Sequence, residues 1–398
     1  MTTFLTTLLL AAIVTGAQAE HYQAIVSAPR HAYREAPARV LLNAPAGPLA
    51  VTVRYGKGIV PAQVRRVNGE AEVIWMVRDL EKGETRPYDV TLHRGSPSVA
   101  ANGVVITRQR GNLDIRINGE LFARYDTTTG PNKPYFHPLF APGGKRLVRG
   151  YPVQQVEGEG KDHPHHRGMW FTHGDVNGQD FWSEGVRAAR TVHRGYEEVL
   201  SGPVYGYFRA RTDWIANNGK KIAEDVREVT VYNTAQNRVM DFEVTIRAIG
   251  GPLTFGDTKE GSFGIRVPDS MRVRGGGGHI VTAAGLKDAE AWGKRAEWVD
   301  YYGPVDGETL GVAILDHPSN LRFPTYWHVR DYGLFAVNPF GLHDFIRGAP
   351  QGAGKYTVPE GKTLTFRYRI VFHKGTTEEA DIAGLWAAYA DPPHVEAR

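Results

Sequence analysis

The chain has 398 residues, 47 Lys plus Arg against 43 Asp plus Glu, and no cysteine. A chain this long can form one large or two unequal domains by burial alone, which it must do without disulfides. The formal net charge of +4, with no Lys/Arg-rich block, biases it mildly towards anionic ligands and against nucleic acid.

Residues 1–19 read as a secretory signal. An apolar run over 4–14 leads to Ala17-Gln18-Ala19, a small-x-small pattern before Glu20. The run is too short to remain as a membrane anchor, and there is no cysteine to carry a lipid. The expected location is the periplasm or the medium.

Strand signals dominate from there. Residues 20–98 predict a small β module in which Asn68-Gly69 turns one alternating run into the next. A modest break falls at Gly95-Ser96-Pro97-Ser98. Residues 99–375 predict a large antiparallel body, with Asn-Gly turns at Asn118-Gly119 and Asn218-Gly219. Period-two runs follow over 222–232, 238–249 and 363–372. That body is too long for an immunoglobulin-sized sandwich. Two large stacked sheets would fit. Near the end, Thr376-Thr377-Glu378-Glu379 offers a capping box for a helix over 380–390, closed by Asp391-Pro392-Pro393. Residues 376–398 therefore predict a short C-terminal helix and a tail. The expected class is all-β: a large antiparallel β-sandwich, supersandwich-like, with a small N-terminal β module.

Chemistry concentrates in residues 162–182, which hold four of the fifteen histidines together with three aspartates, Arg167, Trp170 and Trp182. A core segment rarely spends so many polar side chains in one place, because each needs a partner once buried. His163 and His165, spaced i, i+2, would share one face of a strand, although Pro164 suits only an edge or a segment outside the ladder. Such a pair could hold a divalent ion, with His173 or Asp175 as a third ligand. Equally, the imidazoles could stay metal-free and protonate or bind substrate oxygens, or simply satisfy backbone carbonyls. Gly174-Asp175-Val176-Asn177-Gly178 reads as a tight turn with Asp175 and Asn177 at its tip. Trp170 and Trp182 flank it, either as core or as a platform for a sugar ring.

Two further islands carry similar residues. In 257–267, Glu260 is a candidate general base that Lys259 could tune, just before a glycine-spaced strand. In 316–328, His317 and His328 accompany Asp316, Tyr326 and Trp327. Asn338-Pro339-Phe340, His343-Asp344 and His137-Pro138 add to the set, and the separated clusters are expected to converge on one cleft. Gly275 to Gly278 lacks the spacing of a phosphate cradle and reads as a flexible loop. No Gly-x-Ser-x-Gly, P-loop, His-Glu-x-x-His or dinucleotide fingerprint occurs.

Tyr135-Phe136-His137-Pro138-Leu139, Asp162-His163-Pro164-His165-His166-Arg167-Gly168 and Gly174 to Trp182 resemble a bacterial, often exported family labelled "methane oxygenase PmoA-like". Asp316-His317-Pro318 and the Tyr326-Trp327-His328 region fit the same pattern. The methane chemistry in that label does not transfer. The membrane subunit of that name is a multi-spanning helical protein, whereas this chain reads as β throughout. The resemblance implies a sugar-catabolic context instead. By architecture and the 259–267 segment, the body also resembles the galactose-mutarotase-like supersandwich, whose members bind or transform sugars with His and carboxylate pairs.

The resulting expectation is an exported carbohydrate-active enzyme of mutarotase, lyase or hydrolase type. His165 or His166 would donate a proton, and Glu260 or Asp175 would act as base. Arg167 and His173 would hold hydroxyls, Trp170 and Trp182 would stack on the ring, and Asn177, His317 and His328 would add contacts. One alternative is a metal-dependent hydrolase or lyase with His163, His165 and His173 around one divalent ion. Another is a non-catalytic periplasmic glycan-binding protein. A sugar or glycoside is the expected partner, with no nucleic acid and no membrane anchor.

Overall fold

Alternating sequence builds the sheets directly. In the strand Arg238–Ala248, Met240, Phe242, Val244 and Ile246 enter the main core while Asp241 and Glu243 face away. The computed structural model describes residues 19–95 and 102–398; the expected signal segment up to residue 18 and the break at 96–98 lie outside them. The chain is all-β, and its strands pair antiparallel.

Two large sheets stack to form the body. One has eight strands, in the order Arg190–Leu200, Tyr205–Ile215, Lys221–Tyr232, Arg238–Ala248, Thr363–Lys374, Glu308–Asp316, Trp298–Val305 and His279–Thr282. The other has nine, and its centre is formed by Leu334–Val337, Gly261–Arg266, Met169–His173 and Tyr135–Leu139. Aromatic pairs bridge the two, including Phe171 with Phe242 and Phe263 with Tyr368. Each such ring contributes about 1.5–3 kcal/mol through burial. The expected supersandwich is the observed architecture.

The N-terminal strands form their own packed pair of sheets. A five-stranded sheet that includes Glu20–Ser27 and Thr85–Arg94 covers a three-stranded one of Tyr33–Leu42, Glu70–Leu80 and Ala62–Val67. Trp75, Tyr88 and Leu92 lie in their shared core. Asn68 and Asn118 adopt φ of 50° and 51°, the left-handed geometry that Asn-Gly turns require.

The expected short C-terminal helix is present, with a later start and a tail that pairs. The Thr376–Glu379 capping bonds form, but the helix itself spans Ile382–Ala390 behind Asp381. The tail then becomes a strand, His394–Ala397, which adds to the edge of Glu20–Ser27 and ties the tail to the five-stranded N-terminal sheet. The Gly275–Gly278 run is also tighter than a loose loop: a Cβ on Gly278 would meet the Met271 carbonyl at 1.8 Å. No helix among the described residues is long and apolar enough to cross a membrane.

Candidate functional site

The site lies on the outer face of the nine-stranded sheet. In Met169–His173, Met169 and Phe171 point into the main core, whereas Trp170 joins Tyr135, Trp182, Leu334 and Ala336 on the opposite face. Gly264 lies beneath: a Cβ there would stand 3.0 Å from both indoles. Trp170 and Trp182 are only 2% and 1% exposed. They are therefore not the sugar-stacking platform expected from sequence. They pack against each other and under His166, forming the floor of the site.

The histidine segment is not a strand either. The ladder begins only at Met169, and His163 sits in a turn with φ of 45°, a strained conformation for a residue with a Cβ. Pro164, which lacks an N–H, had already limited pairing here. The turn converts the sequence spacing into a stack. Tyr332 lies parallel to His163, His163 parallel to His166, and His166 close to parallel with Trp170. His165 meets His166 edge-on.

Asp162 organises this column. Arg149 and Arg266, both with fully buried side chains, converge on its carboxylate, and His163 Nδ1 lies 2.5 Å from Oδ2. Burial alone would raise the Asp162 pKa, but the two guanidiniums and the His163 hydrogen bond hold it well below the usual carboxylate range. An ionised carboxylate only accepts, so His163 Nδ1 donates, and Nε2 is the nitrogen that faces no partner among the described residues. With 41% of its side chain exposed, His163 offers that nitrogen to a ligand.

His166 is placed differently from expectation. It is 1% exposed, its Nδ1 accepts from Arg266 at 3.3 Å, and burial followed by neighbouring positive charge holds its pKa well below the usual histidine range. It is a neutral, sealed ring and does not reach a substrate as a proton donor. His165 is half-buried. Burial, then the charges of Lys133 and His163, lower its pKa to about 4, so it serves as a neutral hydrogen-bonding group.

Beneath His165 runs a network that sequence reading missed. Lys133, 3% exposed, donates to the Trp182 carbonyl at 2.8 Å and pairs with Glu184 at 3.2 Å. Desolvation lowers its pKa to about 8 despite Glu184. Arg167 Nε donates to both Glu184 oxygens at 2.8 and 3.0 Å, so it braces this network. Lys133 gave no sequence signal, standing alone between Asn132 and Pro134.

Glu260 ends the loop that leads into the strand Gly261–Arg266, with 39% of its side chain exposed. That loop is held on several sides. Lys259 N donates to Asp344, the Lys259 carbonyl accepts from His328, the Thr258 carbonyl accepts from Asn338, and the Glu260 carbonyl accepts from Gly174. Partial desolvation raises the Glu260 pKa, opposed by Lys259 and His163. His328 thus joins the site. Its Nδ1 must donate to the Lys259 carbonyl at 2.7 Å, and burial lowers its pKa to about 3.

Other expected residues lie elsewhere. His173 is 0% exposed, with Nε2 2.8 Å from the Gly256 carbonyl and Nδ1 3.2 Å from Ser262 Oγ. Gly261 presses against its ring, so a Cβ there would stand 2.2 Å from Nδ1. With both nitrogens engaged, it neither ligates a metal nor holds a hydroxyl. Asp175 Oδ1 caps Gly178 N at 2.9 Å, and Asn177 bonds the Pro252 and Thr254 backbone. Both border a separate hollow of about 430 Å³. His317 bonds Ser319 and opens on a hollow of about 360 Å³ with Asp241 and Glu243, on the outer face of the other large sheet. Among the described residues, no group of three or more His, Asp or Glu side chains has the geometry to hold a metal ion.

A comparison with curated proteins gives no match. Among solved structures, the chain is similar to a protein in glycosyl hydrolase family 38 from Enterococcus faecalis, at 10% identity and a TM-score of 0.42. It is also similar to an α-mannosidase from the same organism, at 11% identity and a TM-score of 0.43. Each likeness covers 95% of this chain, and the chain spans about half the length of either (47% and 46%). The model of a family of unknown function, DUF6807, matches residues 112–387, and the chain belongs to that family.

Proposed function

We propose that the chain is an exported acid–base enzyme acting on a carbohydrate, with His163 as base and Glu260 as acid. The observation that carries the reading is the Asp162–His163 pair, with Glu260 heading the strand Gly261–Arg266 that brings Arg266 to Asp162. Asp162 is kept ionised by Arg149 and Arg266, so it fixes the His163 tautomer and leaves Nε2 to take a proton. Glu260, with its raised pKa, holds a proton to higher pH than an ordinary carboxyl and can deliver it to an oxygen. His165 supplies a neutral hydrogen-bonding group for hydroxyls, and His328 holds the Glu260 loop through the Lys259 carbonyl. The choice of a sugar rests on the resemblance of the body to mutarotase-like proteins and on this polar, hydroxyl-matching set. Removal and delivery of a proton are steps shared by mutarotation, elimination and hydrolysis.

The test is an NMR and mass-spectrometric screen of the purified protein against free sugars, glycosides and sugar acids, with and without EDTA. Conversion that survives EDTA and falls about 10²- to 10⁴-fold in His163→Ala and Glu260→Gln supports the assignment. Binding without conversion across the panel replaces the enzyme with a glycan-binding protein. Conversion abolished by EDTA replaces it with a metal-dependent one.

A further inference from the structure

Arg330 is the site's unmatched cation. Its guanidinium lies between the rings of Trp292 and Tyr332, at 5.6 and 5.5 Å from their centroids. Among the described residues it makes no ion pair and no side-chain hydrogen bond. The other arginines around the column each have a carboxylate partner: Arg149 and Arg266 share Asp162, and Arg167 pairs with Glu184. The two aromatic rings hold the guanidinium by cation–π attraction and leave its N–H groups without a partner among the described residues. A planar fork held this way matches a carboxylate through two parallel hydrogen bonds.

Its position ties it to the proposed chemistry. Tyr332, which stacks on Arg330, also stacks on His163. Arg330 also stands two residues from His328, whose Nδ1 bonds the Lys259 carbonyl beside Glu260. Lys259 is only loosely matched, with Nζ 3.7 Å from Glu260. The overall charge of +4 agrees with an anionic ligand.

We propose that the substrate is a carboxylated sugar, a uronate or a glycan that carries one, and that Arg330 binds its carboxylate. This rests on the reading of the site as carbohydrate-processing. The carboxylate would sit two stacking contacts along the column from the base, positioning the ring between Arg330 and the His163–Glu260 pair.

Binding separates this proposal from that reading, because it is measured without turnover. Titration calorimetry compares glucose with glucuronate, galactose with galacturonate, and galactose 6-sulfate, in wild type, Arg330→Gln and Arg330→Lys. Circular dichroism checks that each variant is folded. Expected is about 10- to 100-fold tighter binding of each acid over its neutral parent, lost in Arg330→Gln and partly kept in Arg330→Lys. Equal affinities for acid and parent, no binding of either acid, tighter binding of the sulfate, or a preference unchanged in Arg330→Gln would each overturn it. If the acids bind through Arg330 but nothing is converted, the carboxylate assignment stands and the enzyme reading falls.

Discussion

The imidazole of His163 lies parallel to the phenol ring of Tyr332, with planes 6° apart and centroids separated by 5.2 Å. The other face of His163 meets His166 at 4.8 Å, so the exposed ring is clamped between two neighbours. Stacking of this kind contributes about 0.5–1.5 kcal/mol, and here it holds orientation more than stability. Tyr332→Phe should leave kcat near wild type, because the stack needs the ring and not the hydroxyl. Tyr332→Ala should lower kcat by up to about tenfold as the base loses its orientation. Steady-state kinetics on both variants decide it; equal rates in the two would show that the clamp has no catalytic role.

Asp162 carries a structural and a chemical load at once. Asp162→Asn leaves Arg149 and Arg266 buried without an anion. Breaking a fully buried pair costs about 3–5 kcal/mol, and the cost here should be smaller because the Asp162 side chain is 42% exposed. Its folded pKa is depressed, so its contribution is present above the unfolded value of about 4 and is lost as pH falls towards the folded one. The gap between wild type and Asp162→Asn in denaturant titrations should therefore hold from pH 7 to about 5 and narrow as pH falls below about 4. A gap that stays constant below about pH 4 would contradict the ion-pair account.

Glu260 predicts the alkaline side of the rate profile. Acting as an acid, it must be protonated, so the rate falls as pH rises through its elevated pKa. In Glu260→Gln the residual rate should show no such limb. If the limb persists in the variant, the acid is another group.

The fold was legible because it is written in local rules. Alternation gave the long strands, and Asn68-Gly69 and Asn118-Gly119 gave hairpins, since their positive φ demands those residues. The site was legible only in its polar density. Which histidine faces solvent depends on a turn at His163 and on Arg149 and Arg266, distant in sequence, meeting at Asp162. Spacing could not show that the indoles close over Gly264, or that His317, just past the strand Glu308–Asp316, faces out from the other sheet while His328 reaches the Glu260 loop. Lys133 and Arg330 carried no motif at all. Their meaning comes from what surrounds them.

His173 provides a test between structural and ligand roles. Its two nitrogens satisfy the Gly256 carbonyl and Ser262 Oγ inside the protein. His173→Ala should cost about 1–3 kcal/mol for the stranded polar groups, with a further loss for the cavity. Metal content of untagged protein should be unchanged. A variant that keeps wild-type stability but loses a co-purifying metal would restore the ligand reading.

The C-terminal tie depends on a buried charge pair. His373 Nε2 lies 3.0 Å from Asp300 Oδ1, and Thr377 Oγ1 donates to Asp300 Oδ2 at 2.7 Å, with the His and Asp side chains both fully buried. Thr377 begins the segment that leads through the helix Ile382–Ala390 to the strand His394–Ala397, which pairs with Glu20–Ser27. Burial lowers the His373 pKa, but Asp300 outweighs it and the net shift is upward. The pair's contribution is thus complete below the unfolded histidine value of about 6.5 and fades as pH rises through the higher folded value. His373→Gln leaves Asp300 unpaired and should cost about 3–5 kcal/mol at pH 6. The Tm difference from wild type should then shrink towards pH 9, where wild type also loses the ion pair. Hydrogen exchange should show the loss first in residues 376–397 and in Glu20–Ser27. Uniform loss across both large sheets would mean that the pair supports the core as a whole and not this tie.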